Sequence, residues 1–212
     1  MERLIARQGD HKPRLLLHSC CGPCSSSVLE RLSLHFRISL LWYNPNIYPE
    51  EEFNKRREAL EHVLRDMGLE KQVELICLPW RSEDYEKAVV GLEEEPEGGR
   101  RCPVCFRLRL EEAARYAAKE GYDYFCTTLS LSRHKDSRLI NSIGEAVAAE
   151  QGVAWLPSDF KKKNGENRSI ELCQKYDVYR QLYCGCRFSL EKRQSIAAQA
   201  EEIKAQNEGG TT

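Results

Sequence analysis

Long apolar runs are missing from this chain. None of the 212 residues lies in a stretch near the ~18 consecutive apolar side chains that a membrane span needs, which excludes a spanning helix. Residues 1–11 are polar and charged and hold no apolar signal core, so the sequence predicts a cytoplasmic chain with no membrane partner. Charge of one sign is lacking too: 32 Lys+Arg balance 33 Asp+Glu, a net of −1. Bulk charge therefore points to no polyanionic partner. Internal repeats and low-complexity segments are absent. What remains, at 41% hydrophobic and 31% charged, is the composition of a soluble globular protein long enough to bury its own core. Its length suits one domain with a small extension, since domains usually run ~100–200 residues.

Cysteine is the exception to this ordinary composition. Ten in 212 residues is below the ~8–10% of a short disulfide scaffold. Cytoplasmic thiols stay reduced, so clustered cysteines there indicate metal binding or redox chemistry. Seven of the ten are clustered: Cys20, Cys21 and Cys24; Cys102 and Cys105; Cys184 and Cys186. Cys77 and Cys126 fall in apolar runs and Cys173 on a helical pattern, so these three read as small core residues.

Apolar runs alternate with helical periodicity. Strands are expected over residues 14–19, 38–43, 73–78, 122–127 and 153–156. Helices are expected after Cys24 and over residues 50–67, 82–91, 102–119, 137–151, 168–176 and 189–206, with Ser82 as an N-cap and Gly68 as a C-cap. This alternation predicts an α/β fold with a mostly parallel sheet and flanking helices. The sheet core would occupy residues 14–158 and carry the Cys102/Cys105 helix as an insertion, with a basic helical extension over residues 159–206. Ligands of such sheets sit outside the carboxyl ends of the strands, where Cys20 to Cys24 fall.

The balanced total hides an uneven distribution. Residues 50–97 hold 15 acids and 7 Lys/Arg, a net of −8, whereas residues 161–193 hold 9 Lys/Arg and 4 acids, a net of +5. The basic segment is either a solvated face or a phosphate-binding surface.

Four thiolates from Cys20/Cys21 and Cys102/Cys105 would suit zinc or an iron–sulfur cluster, and spacing does not choose between them. Adjacent Cys20 and Cys21 are unusual for a zinc knuckle. Both sulfurs can face one site only if the chain turns at Gly22-Pro23. Cys184-Gly185-Cys186 can close only a small, strained ring, the labile kind of disulfide, so it reads as a redox dithiol, with a metal-ligand pair as the alternative. Cys24 is a free thiol, a ligand of a second metal, or a packing residue.

Several ordered motifs carry a family resemblance: Leu17-His18-Ser19-Cys20-Cys21-Gly22-Pro23-Cys24, Trp42-Tyr43-Asn44-Pro45-Asn46-Ile47, and Arg101-Cys102-Pro103-Val104-Cys105-Phe106 through Leu110. They continue with residues 127–136, Asp159-Phe160-Lys161-Lys162, Arg168-Ser169-Ile170-Glu171-Leu172 and Tyr179 to Cys186. From about Arg14 to Arg193 the chain resembles the QueH family of epoxyqueuosine reductases. The resemblance implies a fold like that of the adenine-nucleotide α-hydrolases. It also implies reduction of the epoxide of epoxyqueuosine in tRNA to an alkene, with loss of water. By position, Cys20, Cys21, Cys102 and Cys105 would hold a [4Fe-4S] cluster, and Cys184 and Cys186 would form a redox-active disulfide.

Losing an epoxide oxygen as water takes two electrons and two protons. A dithiol stores two electrons, while a cluster passes one at a time. The leaving oxygen needs an acid or a Lewis-acidic metal, for which His18, Asp136, His134, Tyr183, or a second iron on Cys24, are candidates. An anticodon loop would present the base, with Arg133, His134, Lys135, Arg138, Lys161, Lys162, Arg168 and Arg180 facing phosphates. An external electron donor is required, and the sequence does not name it. The alternatives are a zinc-stapled nucleic-acid binding module, a thiol oxidoreductase using Cys184/Cys186 alone, and an ATP-dependent tRNA-modifying enzyme of the same fold. The last is disfavoured because Ser19 to Cys24 lacks the glycines of a phosphate cradle.

Overall fold

The computed structural model describes residues 12–208, with side chains to residue 201; residues 1–11, where no signal core was read, lie outside it. Five strands form one parallel sheet: β1 (Arg14–His18), β2 (Arg37–Trp42), β3 (Glu74–Cys77), β4 (Tyr124–Thr127) and β5 (Ala154–Trp155), in the order β3-β2-β1-β4-β5. The helices are α1 (Gly22–Leu32), α2 (Glu50–Asp66), α3 (Ser82–Ala88), α4 (Arg101–Lys119), α5 (Ser137–Gln151), α6 (Gly165–Lys175) and α7 (Arg187–Glu208).

β1 is central, and its Leu15, Leu16 and Leu17 are wholly buried, as an inner parallel strand covered on both faces requires. Strand order reverses between β1 and β4. Right-handed crossovers therefore send the helices of the two halves to opposite faces and open a crevice where the loops after β1 and β4 diverge. α4 packs on α5 and against β1 and β4; α1 packs on α2 and α6. The periodic residues of α4, Phe106, Leu110, Ala113 and Ala117, all face the core.

Local chemistry explains most element ends. Gly68 follows the α2 C-cap at φ +67°, a left-handed conformation that glycine takes freely, and Leu69 N closes back onto Leu64 O at 2.8 Å. Arg81, not Ser82, occupies the N-cap of α3, so the helix starts one residue earlier than a Ser82 cap would place it. Cys77 departs from its expected place in the core. It ends β3, an edge strand whose Leu75 and Ile76 are only half-buried, and Cys77 itself is exposed. Cys126 and Cys173 are buried as expected. Among the described residues no helix is long and apolar enough to cross a membrane.

Candidate active site and thiol centre

The turn after β1 is fixed from three sides. Ser19 N donates to Leu41 O (2.9 Å), Asn44 Nδ2 donates to Ser19 O (2.8 Å), and Cys20 N donates to Thr128 Oγ1 (3.2 Å). Cys21 is the N-cap of α1, and its sulfur accepts from Cys24 N at 3.3 Å. Gly22 serves close approach, since a Cβ there would stand 2.6 Å from Ala59 O of α2. The chain swings into α1, and the adjacent cysteines converge: Cys20 Sγ and Cys21 Sγ are 3.8 Å apart. With Cys24 they form a trio whose sulfurs lie within 4.8 Å of one another, the one such trio of metal-ligating side chains among the described residues.

Two sulfurs sharing one ion through ~2.3 Å tetrahedral bonds would sit ~3.8 Å apart. The donor set is thus soft, convergent and largely buried, and it fits a thiophilic metal. Its second layer is equally specific. Thr128 Oγ1 donates to Cys20 Sγ (3.4 Å) and Gln181 Nε2 to Cys21 Sγ (3.2 Å). Hydrogen bonds from Cys21, Cys24 and Thr128, with the Lys135 charge, hold the Cys20 thiol well below its usual pKa; burial pushes Cys21 up to about 12.

The Cys102/Cys105 pair opens α4. Cys102 Sγ accepts from Gly98 N at 3.2 Å, and Cys105 is 7% exposed. The close trio includes neither of them. Cys105 instead packs with Cys186, Tyr85 and Val89 in a small buried cluster. Arg109, 3% exposed, donates to the Cys105 carbonyl (3.1 Å) and sulfur (3.3 Å), so its buried guanidinium is bonded to a cysteine and not to a carboxylate. A buried cation needs an anion nearby, and thiolates or a cluster they hold would supply one.

A cavity of about 570 Å³ opens over these groups, lined by Cys20, Cys24 and Cys184 as well as by Arg109, Lys135 and Tyr183. It lies at the crevice between the β1 and β4 loops. Burial alone would lower the Lys135 pKa, but Cys184, Cys20 and Cys24 outweigh it and hold the ammonium charged.

The candidate acids separate sharply. His18 is fully buried away from the cavity: its Nε2–H donates to Tyr43 O (3.0 Å) and its Nδ1 meets Thr127 Oγ1 (2.8 Å). Burial, then Arg109, lowers its pKa to about 4. Asp136 caps α5 by accepting from Arg138 N at 2.8 Å. His134 and Tyr183 line the cavity. Tyr183 donates its hydroxyl to Tyr48 O, and burial, followed by Glu52, raises its pKa to about 12.

The basic residues are partly committed internally. Arg133 pairs with Glu166 (2.9 Å), Arg168 with Glu30 (2.7 Å) and Glu171 (2.9 Å). Lys161 bonds Ser130 O, Lys135 O and Asp159. Arg133, His134, Lys135 and Arg180 line the cavity; Arg138 and Lys162 are exposed outside it. Sequence reasoning did not single out Arg56, Arg109, Thr128 or Gln181. The usable signals were the Glu52/Arg56 and Cys105/Arg109 spacings of four, which place each pair on one helix face.

The family model described as epoxyqueuosine reductase QueH matches residues 15–192. The chain belongs to the QueH family. Relatives named epoxyqueuosine reductase QueH include that of Streptococcus pyogenes serotype M1, 42% identical over 177 residues (82% of this chain, 69% of the relative). That of Staphylococcus epidermidis is 42% identical over 191 residues (88% and 80%), and that of Thermotoga maritima 33% over 189 residues (87% and 94%). The matched region spans every cysteine described above.

Proposed function

We propose that this chain reduces the epoxide of epoxyqueuosine in tRNA to the alkene of queuosine. The observation that carries the reading is a cavity at the sheet's switch point into which Cys20, Cys24 and Cys184 open beside a charged lysine. QueH membership supplies the substrate. On this reading the parallel sheet is adenine-nucleotide α-hydrolase-like, and residues 1–212 act as a single domain with a basic helical extension over residues 159–206.

Epoxide, two electrons and two protons become alkene and water. Cys20, Cys21, Cys102 and Cys105 would hold a [4Fe-4S] cluster, which supplies electrons one at a time. Cys24 is the free thiol nearest it, available to a second iron. Cys184 faces the cavity and Cys186 lies beneath; on this reading the pair stores two electrons as a dithiol and ends the cycle as a disulfide. An external donor reduces it again. Lys135 Nζ is a protonated group in the cavity and can give its proton to the departing oxygen. His134 and Arg180 at the cavity are placed to meet phosphates of an anticodon loop, whose splayed bases reach such pockets.

The test is anaerobic purification with iron, sulfide and zinc analysis, followed by turnover of epoxyqueuosine-containing tRNA. Iron and sulfide in equal amounts with turnover are expected. Zinc without sulfide and no turnover would replace the reading by a zinc-stapled binding module. Cys102→Ser should give folded, colourless, inactive protein, whereas Cys184→Ser should keep iron and sulfide but stop multiple turnover.

A further inference from the structure

The Cys184-Gly185-Cys186 loop is held by its backbone to an unusual degree. Three successive carbonyls, of Tyr183, Cys184 and Gly185, each accept a hydrogen bond from outside the loop. Arg56 Nη2 donates to Tyr183 O (3.1 Å), Arg56 Nη1 to Cys184 O (3.0 Å), and Tyr48 N to Gly185 O (2.8 Å). Arg56 sits in the middle of α2, yet only 2% of it is exposed. Glu52, one turn earlier, fixes it through Arg56 Nε at 2.7 Å. Glu52 is oriented in turn by Tyr179 Oη, at 3.1 and 3.0 Å from its two oxygens. The guanidinium also lies 4.9 Å from the Tyr183 ring centroid. Gly185 has φ +130°, and a Cβ there would stand 2.9 Å from Arg56 Nη1. The loop is built against this one side chain.

The clamp holds the two thiols apart in kind. Cys184 faces the cavity, while Cys186 is buried with Tyr85 and Cys105 and bonds Ser189 Oγ at 3.4 Å. Both are free thiols in this conformation. A forked donor on two neighbouring carbonyls resists backbone rotation between the two cysteines.

We propose that Arg56, braced by Glu52, is a positioning residue for the Cys184–Cys186 pair, holding the loop in its dithiol conformation and so making the pair easier to reduce. The inference rests on the redox-pair reading above and adds the element that sets its poise. Reduction adds two electrons and two protons to the disulfide; with glutathione as donor, two glutathione thiols become one glutathione disulfide.

The test equilibrates the iron-loaded protein with mixtures of reduced and oxidised glutathione without air, then quenches with acid and alkylates. Trypsin releases residues 181–187 as one peptide with these two cysteines and no other. Its mass reports the pair directly, without reference to turnover. Arg56→Lys keeps the charge but loses the fork, and Glu52→Gln keeps the volume but loosens the brace. Each should shift the equilibrium toward disulfide by about tenfold, about 30 mV toward negative potential. Thermal midpoints near the wild-type value would establish that each variant is folded, and Glu52→Gln serves if Arg56→Lys is not. A wild-type pair that titrates, with midpoints unchanged or more positive in the variants, overturns the clamp alone. A wild-type peptide that never forms a disulfide overturns the redox-pair reading and the clamp with it.

Discussion

At the residue scale, the most perturbed groups lie within and around the thiols, and they divide into groups facing the cavity and groups holding the frame. His18 belongs to the frame. Its ring ties the end of β1 to Tyr43 after β2 and to Thr127 of β4, and no water reaches it. Burial lowers its pKa to about 4 from the usual 6.5. Between those values the unfolded chain binds a proton that the folded chain refuses. Stability from this group is therefore complete above pH 6.5 and falls as pH drops toward 4, by a ceiling of about 3 kcal/mol. Urea denaturation at pH 7 and pH 4.5 should show the decline in wild type and a smaller one in His18→Gln. Equal declines would place the acid sensitivity elsewhere. Residues of this kind show how far sequence reaches. The convergence of Cys20 with Cys21 was conditional on a turn, and the turn is there. The burial of Arg56 and Arg109 was not legible, because a long charged side chain in an amphipathic helix reads as solvated unless its tertiary partners are known.

At the element scale, periodicity located the five strands and the α-helices given bounds to within three residues, since burial of one face drives both patterns, but it missed the short 3-10 turn at Thr128–Leu131. It failed where position in the sheet, not pattern, decides burial: the apolar run ending in Cys77 is an edge strand, and Cys77 is exposed. Two glycines mark where elements approach too closely for a side chain. A Cβ at Gly22 would meet Ala59 O at 2.6 Å, and one at Gly144 would meet the Trp155 ring at 2.4 Å. Alanine at either site overpacks a helix interface and should cost about 1–3 kcal/mol in chemical denaturation. The functional consequences should differ. Gly22 begins α1 and fixes the placement of Cys21 and Cys24, so Gly22→Ala should also lower kcat; Gly144 joins α5 to β5, away from the cavity, so Gly144→Ala should leave kcat near wild type. Equal kcat losses in both would show that the thiol turn is not held by the α1–α2 contact.

At the scale of the whole molecule, the question is how a nearly neutral protein would hold a polyanion. The basic C-terminal third suggested phosphate contacts from its net of +5 over residues 161–193. The structure spends part of that charge internally: Arg168 is shared by Glu30 and Glu171, and Lys161 by carbonyls and Asp159; outside the segment, Arg133 is likewise held by Glu166. Linear charge counting cannot see such pairs, because Glu30 and Arg168 are far apart in sequence and meet only when α6 packs on α1. If Arg138, Lys162 and Arg180 are the cations that meet tRNA, each neutralised phosphate of a single-stranded loop contributes about −0.7 to the slope of log affinity against log salt. Three contacts then give a slope of about −2. Filter binding of tRNA across a salt series measures it. Arg180→Ala should flatten the slope by about 0.7, while Arg168→Ala should leave it unchanged and destabilise only modestly, as exposed ion pairs do. A slope steeper than about −5 would mean that the internal pairs open on binding, and that the acidic partners Glu30 and Glu166 act as placeholders for phosphate.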